Sequence, residues 1–300
     1  MTSRMIPKTP RALFFSVILS LALPFSAAAQ TADEVVHKAL AARGGIDKIK
    51  ALQGQRITGS ISFGPGAEGS FTIELKRPLK MHTEISIQGQ TIVRVYDGRS
   101  AGWVVNPFTE TKNVQPMAAS DLRSISDEAD FDGPFIDYRA KGNQIELVGK
   151  ENVEEEPAFR IKLTKKNGDI RFYLFDAASF LLVKWEGKRP GRDKEIPVET
   201  FYHDFREIDG LLFPFEIESH SPAAEDQDLP EEQQKIVIDK IELNPQIDDS
   251  HFAKPSAPAP AATSTLRVPR KIPGLHAPCF FSGNRDCAVH ENDKDPKSHT

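Results

Sequence analysis

From Gln55 onward the hydrophobic period of this chain drops to two, and that change limits the fold more than any other feature. Ile57, Ile61 and Phe63 alternate with Arg56, Thr58 and Ser62, and Phe71, Ile73 and Leu75 alternate with Ser70, Thr72, Glu74 and Lys76. Ile85 and Ile87 continue the pattern. So do Phe159, Ile161 and Leu163, then Ile170, Phe172 and Leu174, then Phe213, Phe215 and Ile217. In a strand, successive side chains point to opposite faces, so each run carries one apolar and one polar face. Turn signals separate the runs: Gly64-Pro65-Gly66, Asp97-Gly98, Asn167-Gly168, Pro190-Gly191 and Asp209-Gly210. Many short strands at regular spacing predict a strongly curved antiparallel sheet or barrel. Phe supplies 19 aromatics against two Trp and four Tyr. The interior therefore asks for ring area without polar tips.

Helices flank and interrupt this pattern. Thr31 with Glu34 three residues later forms a capping box, and Val35, Val36, Ala39 and Leu40 make a helical stripe that Gly44-Gly45 stops. A second short turn follows, with Ile46, Ile49 and Leu52 at helical spacing. Residues 118–137 lose the period of two, carry Leu122 and Ile125 at helical spacing, and include Asp127, Glu128, Asp130 and Asp132. The spacing of those acids is not that of an EF-hand calcium loop. They read as a solvated helix end between two halves of the sheet.

The two ends have compositions of their own. Arg4, Lys8 and Arg11, an apolar run from Ala12 to Leu23 and Ala27-Ala28-Ala29 form a secretory signal peptide over 1–29, its twelve-residue core too short to span a bilayer. Residues 254–300 open with KPSAPAPAATST and read as a mostly disordered tail, which leaves 30–253 as the folded domain. The tail holds both cysteines, Cys279 and Cys287. In an oxidising compartment a local disulfide is the plain expectation; unpaired thiols are one alternative, and a Cys2His2 metal site, matching no standard finger spacing, is the other. The formal charge is -5, and all three basic residues of the leader leave with it. Nucleic acid is therefore not an expected partner, since phosphate neutralisation needs clustered Lys and Arg.

Catalytic signatures in the context they require are missing. The chain has no P-loop and no H-E-x-x-H; Gly98 to Gly102 matches G-x-S-x-G and Gly64 to Gly69 matches G-x-G-x-x-G, but each falls on a turn signal between strand runs and not at a strand-to-helix turn. The histidines His37, His82, His203, His220 and His251 are isolated from one another in sequence. His203 beside Asp204 is the most tempting pair, but neighbours on a strand face opposite ways. The expectation is a protein that is not an enzyme and needs no cofactor and no metal.

One stretch carries more information. Lys76-Arg77-Pro78 ends a strand, Asp97-Gly98 makes a hairpin turn, and Trp103-x-x-Asn106-Pro107-Phe108 ends another strand in a Pro-terminated turn. Asp204 to Pro214, Lys240 to Asn244 and Phe252 form a second patch. In this order the motifs resemble those of the LolA/LolB-like family of periplasmic lipoprotein carriers, over roughly 32–253. The resemblance implies a mainly β fold, an incomplete, strongly curved antiparallel β-barrel whose apolar concavity is covered by a few α-helices acting as a lid. It implies cargo of acylated lipoproteins or other lipids, carried from an inner-membrane transporter as donor to an outer-membrane acceptor. A lipid- or protein-sensing regulatory module of the envelope on the same fold is the rival.

In the family the arginine of the K-R-P step latches the lid from inside, and Arg77 occupies that place. Strand parity puts Arg77 on the face of Phe71, Ile73 and Leu75, with Lys76 on the other; the bland alternative leaves Arg77 at a frayed strand end in water. The expected cavity wall is Phe71, Ile73, Leu75, Met81, Ile85 and Ile87, with Trp103 and Phe108 nearby, although a core plug would carry the same Trp signature. The short acidic insertion and the acidic loop from Ser219 to Gln234 depart from the carriers.

Overall fold

The computed structural model describes residues 30–255, apart from 65, 110, 112, 191–194 and 224–230. The leader 1–29 and the tail with Cys279 and Cys287 lie outside the described residues. Thr31 caps the first helix as its sequence requires. Its hydroxyl accepts from the Glu34 amide at 3.2 Å, and the Glu34 carboxylate accepts from the Thr31 amide at 3.0 Å. The helix α1 (Ala32–Ala42) buries Val35, Val36 and Ala39, and α2 (Ile46–Ala51) buries Ile49.

Among the described residues, thirteen antiparallel strands then form one sheet. The first six are β1 (Gly54–Ser62), β2 (Glu68–Lys76), β3 (Lys80–Ile87), β4 (Gln90–Tyr96), β5 (Gly102–Val105) and β6 (Gln115–Pro116). After α3 (Ala119–Glu128) come β7 (Gln144–Val153), β8 (Glu156–Thr164), β9 (Ile170–Asp176), β10 (Leu182–Pro190), β11 (Glu195–Ile208), β12 (Leu211–Ser221) and β13 (Glu232–Leu243). A 3-10 turn at Asp249–Phe252 ends the described chain.

The strand order is β6-β5-β4-β3-β2-β1-β13-β12-β11-β10-β9-β8-β7. Two meanders therefore meet where β1 pairs with β13, and the outer edges β6 and β7 do not close on each other. Residues 117–143 have to carry the chain from one edge to the other. That connection supplies the cover: Ile125, Ala129, Phe131, Phe135 and Ile136 join one core with the inner faces of the strands. Phe135 sets its ring edge-on against Tyr173 and Phe175 at 4.8 and 5.4 Å. Close approach is possible at Gly102, where a Cβ would lie 2.7 Å from the Met117 sulfur and 2.8 Å from Leu122.

Two expectations are corrected. The acidic run is not a solvated helix end. Asp127 pairs with Lys165 and with Arg171, Glu128 with Arg94 at 3.1 Å, Asp130 with Lys141 at 2.5 Å and Asp132 with Arg77 at 2.7 Å. Each acid thus fastens the cover, to the sheet or to itself. The acidic loop is also shorter than its composition suggests, because Ser219 to Ser221 finish β12 and Glu232 to Gln234 begin β13.

Candidate binding cavity

A cavity of about 480 Å3 lies between the inner face of the sheet and its cover. Val36, Ala39 and Leu40 of α1 form one wall, with Ile57 and Leu75 from β1 and β2. Phe175, Phe205 and Phe213 come from β9, β11 and β12, and Ile238 and Ile241 from β13. The period of two produces this wall, since every second residue of each strand faces inward. The acids of residues 127–132, with Lys141, Lys165 and Arg171, form its polar border. Burial, reinforced by the charge of Arg171, pulls the Lys165 ammonium below the usual lysine range despite Asp127.

Arg77 stands where strand parity predicts. Its Nε donates to the Leu52 carbonyl at 2.5 Å, Nη2 to the Ile49 carbonyl at 3.1 Å and to Asp132 Oδ1 at 2.7 Å. Its guanidinium carbon is 5.3 Å from the ring of Phe131. Lys76 works on the other face, where its ammonium donates to the Ile247 carbonyl at 2.8 Å and to Asp249 at 2.7 Å. Consecutive residues of one motif thus hold two different segments.

The other predicted wall residues divide. Leu75 lines the cavity. Phe71, Ile73, Met81, Ile85 and Ile87 point inward from β2 and β3 and are almost wholly buried in the main core, where α3 lies over this half of the sheet. Phe108 packs half-buried against the same core. Trp103 is placed elsewhere: it pairs with Val95, on the opposite face from Arg94, whose side chain reaches α3. The signals missed were the apolar residues of β11 to β13 and the stripe of α1, which complete the wall.

Outside the cavity, the outer face of the sheet gathers groups that look isolated in sequence. Glu74 receives Arg56 Nε at 2.8 Å and His251 Nδ1 at 2.6 Å, with His82 Nδ1 at 3.6 Å. Ligand atoms of Glu74, His82 and His251 all lie within 4.8 Å of one another, the residue types of a zinc site, although Arg56 already sets a positive charge on Glu74. His82 and His251 are therefore neighbours. His203 and Asp204 do not pair: Asp204 binds Arg206, and His203 lies 3.7 Å from Glu154. Among the described residues no helix is long and apolar enough to cross a membrane.

An unclosed antiparallel sheet with an apolar cavity beneath a cover that includes helices is an incomplete β-barrel. Among solved structures, a DUF1329 family protein from Desulfovibrio piger is similar at TM-score 0.50 and 15% identity, covering 75% of this chain and 98% of its own. A LolA superfamily protein from Nitrosomonas europaea is similar at TM-score 0.48 and 16% identity, covering 75% and 99%. At 15% identity the likeness to the first is one of fold alone. No protein-family model matches the chain, and no curated protein matches it.

Proposed function

We propose that this chain is an exported, non-enzymatic carrier that takes acyl chains of lipoproteins or other lipids into its cavity and moves them across the periplasm to the outer membrane. In this reading residues 1–29 are removed on export, 30–253 bind the cargo, and the tail 254–300 serves docking or tethering. The observation that carries it is the apolar cavity under a cover held by ion pairs. Burying one CH2 is worth about 0.8 kcal/mol, so a long acyl chain crosses water only inside such a shelter.

The composition of the wall supports binding over catalysis. Among the described residues, those lining the cavity include no Ser, Thr, Cys or His. Its four carboxylates each already hold a cation. An inner-membrane transporter as donor and an outer-membrane acceptor follow from the direction of carriage. Mass spectrometry of lipids that co-purify from the native host tests the reading. The expected result is acylated species near one per chain, and folded protein that carries no lipid and binds no fluorescent acyl probe would overturn it.

A further inference from the structure

Two polar side chains in the cavity have no partner to explain them. Arg43 caps the C-terminus of α1 and lines the cavity, with the ring of Phe213 5.9 Å from its guanidinium carbon. Gln55 lines the same cavity from the inner face of β1 and is only 5% exposed. Among the described residues neither side chain makes an ion pair or a side-chain hydrogen bond. Asp132 is near enough to act on Arg43 through its charge, but both its oxygens are already held by Arg77. Protein crowds the guanidinium enough for desolvation to lower its pKa from the ordinary arginine value.

Arg43 is half-buried and Gln55 buried; cations partly withdrawn from water are usually paired, and buried amides are hydrogen-bonded. Of the other cations lining this cavity, Lys141, Lys165 and Arg171 each have a carboxylate, and Lys166 is exposed to water. Arg43 and Gln55 are withdrawn from water without such a partner, and both lie where a ligand would be.

Resting on the carrier reading, we propose that the preferred cargo is a single-chain amphiphile with an oxyanion at one end, its carboxylate or phosphate received by the Arg43 guanidinium and the Gln55 amide while its acyl chain lies along the apolar wall. Guanidinium suits this ligand because its planar fork donates two parallel hydrogen bonds to a carboxylate or phosphate. Size agrees. An apolar cavity of about 150 Å3 holds one benzene ring, so on that scale 480 Å3 takes on the order of twenty carbons. That is room for one acyl chain with its head.

The test compares laurate, its uncharged methyl ester and acetate as competitors for a fluorescent acyl probe on delipidated mature protein. Wild-type protein should bind laurate about tenfold more tightly than methyl laurate, with acetate ineffective. Arg43→Leu should bring laurate down to the level of the ester, Arg43→Lys should restore part of the preference, and Gln55→Leu should weaken laurate by a smaller factor. Equal affinity of the wild type for laurate and its ester would overturn the inference and leave the carrier reading standing. Displacement by acetate alone would overturn it too, by showing a plain anion site. A folded wild type that binds neither acyl ligand overturns the carrier reading and this inference with it. Because the first comparison uses wild-type protein, it stands even where a variant fails to fold.

Discussion

Arg77 grips Asp132 through both terminal nitrogens, Nη2 to Oδ1 at 2.7 Å and Nη1 to Oδ2 at 3.3 Å, while the same guanidinium closes on two carbonyls of the α2 turn. One side chain at the end of β2 therefore fastens the entry helices and the cover together. Tyr138 and Arg139 bind Asp33 at 2.7 and 2.8 Å, and Lys50 binds Asp137 at 2.6 Å, so α1 and α2 are tied to the cover at further points.

Arg77→Leu removes this clamp and keeps the apolar volume. Asp132 then loses its partner, and two carbonyls lose a charged donor, which costs about 1–3 kcal/mol. Urea unfolding should show that loss, and amide exchange should rise over 129–143. Probe uptake should survive while transfer to acceptor vesicles slows, because the open, loaded state has lost its competitor. Unchanged exchange in 129–143 would show that the cover is held without Arg77.

Arg94 and Glu128 are a deeper version of the same device. Their side chains are 3% and 0% exposed and meet at 3.1 Å between β4 and α3. Removing one partner strands a buried charge, so Arg94→Met should lose about 3–5 kcal/mol, and adding Glu128→Leu should recover most of it. Chemical denaturation of the single and double variants checks this. Additive losses would mean that the pair does not act as a unit.

Much of this arrangement is readable from the sequence because its causes are local. The capping box of Thr31 and Glu34, the stop at Gly44-Gly45 and the alternation through β1 to β3 need no distant information. Parity also places Arg77 and Lys76 on opposite faces. The partners of the acids could not be read. Asp127 and Lys165 are 38 residues apart, and Arg77 and Asp132 are 55. Only the return from edge to edge brings such residues together. Wall and core also share one pattern. In β9 the apolar alternation Phe172 and Leu174 packs on a small outer cluster, while the cavity takes Tyr173 and Phe175 from the other face. Trp103 was ambiguous for the same reason, since an apolar face in sequence carries no label for inside or outside.

Leu75 and Ile73 separate cavity from core by experiment. Leu75 lines the cavity, whereas Ile73 is fully buried two residues earlier on the same face. An unpaired carboxylate in an apolar wall costs several kcal/mol. Leu75→Glu should leave a folded protein, by circular dichroism, whose affinity for an acyl probe falls at least about tenfold, whereas Ile73→Glu should unfold the domain. A Leu75→Glu variant that binds the probe normally would place the acyl chain elsewhere.

Acid stability turns on Glu74. Burial raises its carboxyl, but hydrogen bonds and charges from His251 and Arg56 outweigh that and hold it below its ordinary 4.5. A carboxylate whose folded pKa is depressed contributes its full stability above the unfolded value and loses it as pH falls through the folded one. The melting temperature should therefore be nearly flat from neutral pH to roughly pH 5 and drop below about 4.5. Asp97, held low by amide donors, and Asp176, held low by the Ser179 hydroxyl and neighbouring amides, both despite partial burial, add to the same limb. Glu74→Gln isolates one contribution. It should cost about 1–3 kcal/mol at pH 7, where the charged hydrogen bonds are lost, and much less at pH 3, where the wild type has lost them too. Differential scanning calorimetry of the two proteins across this range gives the answer. Converging curves are the expected outcome, and parallel ones would show that Glu74 owes its importance to packing against the 3-10 turn and not to its charge.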